Sequence, residues 1–279
     1  MLRSSRVRPH NWRLLSLLMV FTLAHVKTVM AYEIVIDGST GVKPLVISLA
    51  NTYRELQPAI QIEIGAGLDP RARIQALTHK KIDIAMASHG IDSQQISKLG
   101  LQVHRIAKIA VVMGVHHGVD VPSISHQQLC DIYSGKINNW KSLGGESGPI
   151  IPFIRPNNEV DTEVIIEHVP CFAELHLAAD IQVKNKSGQM ATALAQTPGA
   201  IGMTTLVRVA QSNQHIIPLA LNGIPPTPSN LMSDVYPLSR DVFLITASQP
   251  SPPVEEFLAF VRSESGANII RANNAVPAK

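Results

Sequence analysis

The stretch YEIVIDGSTGVKPLVISLANTYRELQPAIQIEI, residues 32–64, decides the fold of this chain. Residues 34–36 are a short apolar run, which predicts a strand, and the turn-forming residues 37–40 end it. Apolar side chains then recur with a helical period from residue 45 to residue 56, which predicts a helix. Residues 61–64 predict a second strand. Strand, helix and strand in this order are typical of a parallel βαβ unit.

The residues before this helix predict where it begins. Ser39 or Thr40 stands where an N-cap is expected, because a hydroxyl there can accept from a free backbone N–H group. Pro44 falls in or near the first turn, where proline is tolerated. We therefore expect a turn, an N-cap and a helix in close succession.

The same alternation continues along the chain. Further strands are predicted at 82–86, 109–115, 150–154, 199–203 and 242–246, and further helices at 72–77, 127–133, 162–168 and 254–262. This pattern predicts an α/β fold with a mostly parallel sheet. Because the middle of the chain forms a βα unit of its own, we expect two lobes with a cleft between them. Lobe 1 is predicted to comprise residues 32–112 and 241–279, and lobe 2 residues 113–240.

The first 31 residues have the character of a secretory signal peptide. Four arginines precede an apolar run at residues 14–26 that is too short to span a bilayer, and small side chains precede Tyr32. We expect cleavage after Ala31; an uncleaved membrane anchor is the alternative. The leader holds five of the 24 basic residues and none of the 21 acidic ones, so the remainder carries a net charge of −2. This balance argues against a nucleic-acid partner.

Only two cysteines are present, Cys130 and Cys171. An oxidising compartment would allow them to pair, and two buried thiols are the alternative. The sequence leaves both open.

Several segments, in the same order, are similar to the phosphate-binding proteins of ABC importers. The most specific is residues 131–140, DIYSGKINNW, and the others are the opening DGSTGVKPL (37–45) and residues 74–88, 151–155, 197–202 and 236–240. The resemblance covers nearly the whole chain after the leader. It implies a type II periplasmic-binding fold, two-lobed, with an oxyanion held in the cleft.

The resemblance also implies ligand residues. Ser39 and Thr40 match the loop that offers hydroxyl and backbone donors to the anion at a helix N-terminus, although a plain N-cap is the alternative. Arg155 matches the arginine that binds the anion with two parallel N–H groups; a surface arginine is the alternative. Thr162 is expected as an N-cap and a possible ligand.

The ligand loops depart from the family pattern. Residues 157–162 replace a glycine-rich turn and bring in the carboxylates Glu159 and Asp161. Ser88-His89 stands where the family commonly has Ser-Arg or Ser-Asp, and both residues are candidate ligands.

The charges in these loops leave three arrangements open. A carboxylate about 4 Å from a phosphate would oppose binding by on the order of 4 kcal/mol in a partly exposed cleft. Arg71 and Arg73 could bind the anion, or they could pair with Glu159 and Asp161 and bridge the lobes. The carboxylates could also point to solvent.

These observations predict an exported receptor that captures phosphate or a similar oxyanion for an ABC permease of the inner membrane. We expect it in the periplasm as a monomer, with no catalytic residue, metal or cofactor. The alternatives are a regulatory or scaffold protein that has lost phosphate binding, and a receptor for another small ligand. An enzyme is disfavoured, because Ser39, His89 and Asp161 resemble a triad in residue type alone and no hydrolase or zinc motif is present.

Overall fold

The predicted alternation of strands and helices is present in the fold. The computed structural model describes residues 32–88 and 91–278, so the predicted leader at residues 1–31 lies outside the described residues. The first part contains β1 (Tyr32–Gly38), α1 (Lys43–Leu56), β2 (Ile60–Ile64), α2 (Pro70–Thr78), β3 (Ile84–Ala87) and α3 (Ser93–Lys98). Every strand and helix predicted there is confirmed within a few residues.

The rest of the chain begins with one long strand and then alternates again. Its elements are β4 (Leu101–His116), β5 (Ser123–Ile124), α4 (His126–Tyr133), a 3-10 helix (Trp140–Leu143), β6 (Ile151–Ile154), α5 (Val160–His168), α6 (Pro170–Ala173), β7 (Gln182–Val183), α7 (Ser187–Gln196), β8 (Ala200–Thr205), α8 (Leu206–Ala210), β9 (Ile216–Pro218), β10 (Ala220–Leu221), α9 (Pro228–Met232), β11 (Ser239–Ala247), α10 (Pro252–Arg262), α11 (Glu264–Ala272) and β12 (Val276–Pro277).

Two helix starts differ from their predictions. The N-cap of α1 is Val42, not Ser39 or Thr40, because Val42 and Lys43 both donate backbone N–H groups to the Ser39 carbonyl and form a turn before the helix. Thr162 is not the N-cap of α5. The helix begins two residues earlier, and the Thr162 hydroxyl donates to the Arg155 carbonyl at 3.2 Å. Pro44 lies in the first turn of α1, as predicted.

Ten strands of the described residues form a mixed sheet in the order β2-β1-β3-β11-β4-β8-β6-β7, with β9 and β12 also paired to β4, and β5 and β10 form a separate two-stranded sheet. β1 is parallel to β2 and β3, and β6 is parallel to β7 and β8. Between these groups, β11 is antiparallel to β3 and β4, and β4 is antiparallel to β8. The expected parallel pairing is therefore present at the two ends of the sheet. At the centre the prediction is wrong, because β11 runs antiparallel to β3 and β4.

Strand β4 connects two apolar cores. Its first ten residues pair with β11, and residues 111–115 pair with β8. Ile109 belongs to a core that contains Leu49 of α1, whereas Val111 belongs to a core that contains Phe153 of β6. This is the predicted two-lobed arrangement of an α/β fold, and the lobe boundaries stay a prediction.

A disulfide joins Cys130 of α4 to Cys171 of α6. The sequence left this pairing open, and the structure decides it against two free thiols. Because the bond closes a long loop within the second core, it restricts the unfolded chain more than the folded one.

A buried histidine links the central strands to α10. Arg262 donates to Nδ1 of His104, so Nε2 carries the proton and donates to the Thr246 hydroxyl at 2.9 Å. Burial, with a contribution from the Arg262 charge, lowers the pKa of His104 from 6.5 to about 4.

We expect acid to weaken the fold through His104. The folded state keeps the ring neutral, whereas the unfolded chain takes up a proton below pH 6.5. The free energy of unfolding should therefore fall by about 2–3 kcal/mol between pH 6.5 and pH 4. Urea titrations across this range measure it, with His104→Gln as the reference. Parallel pH profiles for the two proteins would contradict the assignment.

Removing the disulfide should lower stability by about 3–4 kcal/mol, because the bond spans 41 residues of sequence. For a domain of this size the loss corresponds to a decrease in Tm of about 7–14 °C. Thermal unfolding of the Cys130→Ser, Cys171→Ser double variant measures it. A reductant should lower the Tm of the parent and leave that of the double variant unchanged.

Candidate functional site

The turn before α1 is held by the sheet and by one carboxylate. Backbone N–H of Ser39 donates to the Met86 carbonyl at 2.9 Å. One Asp37 carboxylate oxygen accepts from the N–H groups of Gly38 and Gly67, at 2.7 and 2.8 Å. These bonds hold the turn against β3 and against the loop that follows β2.

Gly38 makes the close approach to β3 possible. Its φ is +136°, a conformation that side chains rarely adopt, and a Cβ there would overlap the Met86 carbonyl oxygen. Only glycine allows β1 to end this close to β3 and present the next two residues, Ser39 and Thr40, ahead of α1.

Arg240 lies against this turn. It stands at the start of β11, its side chain is 2 % exposed, and Nη1 is 3.4 Å from an Asp161 carboxylate oxygen in the first turn of α5. A Cβ on Gly41 would overlap the guanidinium group, so Arg240 reaches the turn that leads into α1. Nε and Nη2 of Arg240 have no hydrogen-bond partner among the described residues.

Arg208 brings a second positive charge to the same carboxylate. Burial lowers the pKa of Arg208, and the negative charge of Asp161 partly offsets this effect. Nη2 of Arg208 lies 3.9 Å from the position that a Cβ on Gly188 would take, in the first turn of α7. The first turns of α1, α5 and α7 are therefore connected through Arg240, Asp161 and Arg208.

Arg155 follows β6 and is held within its own region of the fold. Its side chain is 2 % exposed, Nη2 is 2.6 Å from a Glu159 carboxylate oxygen, and Nη1 donates to the Lys184 carbonyl at 3.2 Å. The two N–H groups predicted to bind an anion thus contact Glu159 and a backbone carbonyl in this structure.

The two carboxylates do not pair with the arginines that the sequence suggested. Glu159 pairs with Arg155, and Asp161 pairs with Arg240 rather than with Arg71 or Arg73. Asp161 is 3 % exposed, so the solvent-facing arrangement is wrong for it. Glu159 pairs with an arginine four residues before it, whereas the long-range partner of Asp161 depends on how α5 packs against β11, which sequence spacing does not reveal.

The other predicted ligand residues lie in different surroundings. Ser88 is buried and donates its hydroxyl to the Asp241 carbonyl at 3.0 Å. The Thr162 hydroxyl lies between the Arg155 carbonyl and the sulfur of Met203. Arg71 is exposed at the start of α2, and His89 lies outside the described residues. The ligand roles of all seven residues stay predictions.

Asp161, Arg208, Arg240 and Ser187 are referred to below as the cluster. For three of these residues, Arg208, Arg240 and Ser187, no role in a site was predicted from the sequence. Arg240 ends one of the family-like segments, so a signal for it was present. Arg208 lies among apolar residues in α8, and Ser187 begins α7 with a buried hydroxyl that has no partner among the described residues. Nothing local to Arg208 or Ser187 marks them as parts of a site.

The cluster concentrates positive charge. Helix N-termini carry a partial positive charge from their free N–H groups, and two guanidinium groups lie at such termini here. At 3.4 Å the attraction between Arg240 and Asp161 is on the order of 5 kcal/mol in a partly screened environment. Removal of the carboxylate would leave buried positive charge without a partner, which is strongly unfavourable.

Two surface depressions lie beside the cluster rather than in it. One of about 290 Å³ is lined by Arg208, Gln211 and residues of α7, and one of about 900 Å³ lies between α7 and the strands β6 and β7. Neither includes the turn before α1. The arginines and helix termini therefore define the candidate site better than concavity does.

Bridging contacts cross from the first core region to the second. Nζ of Lys186, which precedes α7, donates to the Ala66 carbonyl at 3.4 Å, and Gln211, which follows α8, donates to Asn273 at 2.8 Å. Within residues 32–88 and 91–278, no group of three or more His, Cys, Asp or Glu side chains is arranged to hold a metal ion. No helix in these ranges is both long and apolar enough to cross a membrane.

An α/β fold of two lobes on a mixed sheet, with arginines beside the N-termini of several helices, is the architecture of a periplasmic-type binding protein. The chain belongs to the PBP superfamily, whose domain model matches residues 24–265.

Known proteins similar to this chain agree with that assignment. It is 27 % identical over 237 residues to the phosphate-binding protein PstS of Bacillus subtilis, covering 83 % of this chain and 76 % of that protein. A solved structure described as a phosphate ABC transporter substrate-binding protein with bound phosphate, from Clostridium perfringens, matches with a TM-score of 0.74 and 26 % identity over 88 % of this chain and 100 % of that one. An ABC-type phosphate transport receptor from Vibrio cholerae gives a TM-score of 0.61 and 25 % identity over 87 % and 99 %.

Substitution of Gly38 by alanine should displace the turn before α1. The added methyl group meets backbone atoms of Met86, which cannot move aside, so we expect a loss of about 2–4 kcal/mol in unfolding free energy. Gly100→Ala is the matched control, because Gly100 also has positive φ and nothing lies within 4 Å of its added Cβ. Its loss should stay near about 1–2 kcal/mol. Equal losses in urea titrations would show that the Met86 contact has no effect.

Proposed function

We propose that this protein captures phosphate or a similar small oxyanion and delivers it to an ABC importer. The observation that supports this most is the meeting of three helix N-termini with the partly buried Arg208 and the buried Arg240. Phosphate binding in the similar proteins of Bacillus subtilis and Clostridium perfringens supports the choice of ligand.

The proposed site meets the physical requirements of oxyanion capture. An anion that leaves water loses strong hydrogen bonds, and these must be replaced by donors at fixed positions. Backbone N–H groups at helix N-termini and guanidinium groups are suited to this, and the turn at Ser39 and Thr40 adds two hydroxyl groups. The anion is expected to lie between this turn and the first turn of α5, with Arg155 and Arg240 on either side.

A receptor role accounts for the site better than catalysis. Asp161 would have to orient a histidine in the triad considered from the sequence, but its carboxylate is paired with Arg240. We propose that no chemical step takes place here and that binding is coupled to closure of the two lobes over the anion.

The location and partners follow from the same proposal. Export through the leader at residues 1–31 would bring the protein to the periplasm, where it would act as a monomer. An ABC permease in the inner membrane would receive the anion. No cofactor or metal is required by this mode of binding.

Calorimetric titration tests the ligand. Protein purified after expression of the full chain should bind phosphate saturably with a Kd below about 1 mM, that is, more favourably than about −4 kcal/mol. If the ligand role predicted for Arg155 holds, Arg155→Ala should weaken binding at least about tenfold, because it removes a guanidinium group that would exchange Glu159 and the Lys184 carbonyl for the anion. Sulfate and arsenate serve as comparison ligands.

Arg105→Ala is the control variant, since Arg105 is exposed on β4 and pairs with Asp241 outside the cluster. Its affinity for phosphate should equal that of the parent. An absence of heat up to millimolar phosphate would contradict phosphate capture. It would favour a regulatory or scaffold protein of the same fold, or a receptor for a different small ligand.

A further inference from the structure

Asp161 differs from an ordinary helix-terminal carboxylate in its burial and its partners. It lies in the first turn of α5, is 3 % exposed, and faces Arg240 at 3.4 Å with Arg208 close enough to interact electrostatically. The oxygen facing Arg240 forms no hydrogen bond with the described residues. At this oxygen Asp161 is therefore held by charge, without the hydrogen bond that usually fixes a buried structural carboxylate.

Arg240 has binding capacity that Asp161 does not use. A guanidinium group has five N–H donors, and a well-matched carboxylate accepts two of them in parallel. The pair here involves only Nη1 at 3.4 Å, while buried Nε and Nη2 have no partner among residues 32–88 and 91–278. Because a Cβ on Gly41 would overlap Nη2, this free donor is directed at the turn before α1.

The same place is electrostatically suited to a free anion. Guanidinium groups beside the N-termini of α1 and α7 raise the positive potential there, since both the side chains and the helix ends are positive. A single carboxylate compensates several positive groups only in part. A small oxyanion could accept from the free donors of Arg240 and from the turn at the same time.

We propose that Asp161 is a tethered counter-ion in the anion site and that Arg240 is a direct ligand of the oxyanion, for which Asp161 competes. This inference rests on the proposed function. Binding breaks the single-contact pair between Arg240 and Asp161 and replaces it with multiple hydrogen bonds to the oxyanion. The carboxylate then repels the bound anion, so it lowers the affinity for phosphate while stabilising the protein without ligand.

The proposal predicts opposite effects of one substitution on binding and on stability. Asp161→Asn keeps the shape of the side chain and removes its charge. We expect it to bind phosphate about 10- to 100-fold more tightly than the parent, which corresponds to about 1.4–2.7 kcal/mol. Without phosphate its Tm should be lower, because Arg240 and Arg208 lose their counter-ion. Phosphate should raise the Tm of the variant more than that of the parent.

Glu163→Gln is the matched control. Glu163 also lies in the first turn of α5 and is exposed, so this substitution removes the same charge from the same helix end without contact with Arg240. Its phosphate affinity should stay within about twofold of the parent value, because charges on exposed side chains are screened by solvent. An equal gain in both variants would overturn the specific role of Asp161.

Arg240→Gln tests the second half of the proposal. It should weaken phosphate binding at least about tenfold, and Asp161→Asn should give little further gain in the Arg240→Gln background, since the two residues act on each other. Additive effects of the two substitutions would show that Arg240 is not the group for which Asp161 competes. Arg271→Gln is the control for the loss of one positive charge, because Arg271 lies in α11 with an exposed side chain.

The outcomes separate this inference from the proposed function. If the parent binds phosphate and Asp161→Asn binds no more tightly, the inference fails and the function stands. If the parent shows no binding and Asp161→Asn binds phosphate, the inference stands and the parent's function must be revised. If neither binds, both fail. Should Asp161→Asn not fold without phosphate, refolding in its presence supports the proposal, and Asp161→Ser provides the same titration in a smaller side chain.

Discussion

Buried arginines need negative partners, and this requirement connects the parts of the molecule that matter for binding. Arg240 starts β11, Asp161 lies in α5, and Gly41 precedes α1, so one ion pair joins three elements that are far apart in sequence. The sheet makes this possible, because β11 returns between β3 and β4 and brings Arg240 to the turn that leaves β1. The position of the cluster is thus a consequence of chain topology.

Stability and binding make opposite demands on this cluster. Buried charge with incomplete hydrogen bonding weakens a fold, and the two apolar cores on either side of β4 must offset it. The second core is further reinforced by the disulfide between α4 and α6, and the centre of the sheet by the chain of hydrogen bonds through His104. A cluster that remains partly unsatisfied needs such rigid surroundings to hold its donors in place for a ligand.

The elements of the fold could be predicted because each is specified locally. Apolar periodicity at residues 45–56 is sufficient for α1, and the short apolar run at residues 34–36 for β1. The predicted N-cap of α1 was wrong by two or three residues. Ser39 and Thr40 have the hydroxyl groups typical of an N-cap, but they lie in a turn that backbone hydrogen bonds close before the helix begins. The direction of the central strands could not be predicted from local sequence, since the pairing of β4 with β11 joins residues at least 129 positions apart (Ser239 with Ala110).

The site shows the same contrast between features that local sequence specifies and contacts that depend on long-range packing. Comparison with a family pattern predicts ligand roles for Arg155 and the turn at Ser39, which stay predictions, and it marks Asp161 as unfavourable for anion binding. It could not predict which arginine lies opposite Asp161, because that depends on how β11 and α5 pack.

With Arg240 as the partner, the charge of Asp161 has a physical role. A monoanion that displaces this carboxylate exchanges one negative charge for another and gains little electrostatic energy. A dianion brings a second charge to the same guanidinium groups and helix ends, and it has enough oxygen atoms to use the free donors of Arg240. On this proposal the tethered carboxylate opposes the binding of any anion, and a tetrahedral dianion, phosphate or sulfate, is better able than a monoanion to displace it.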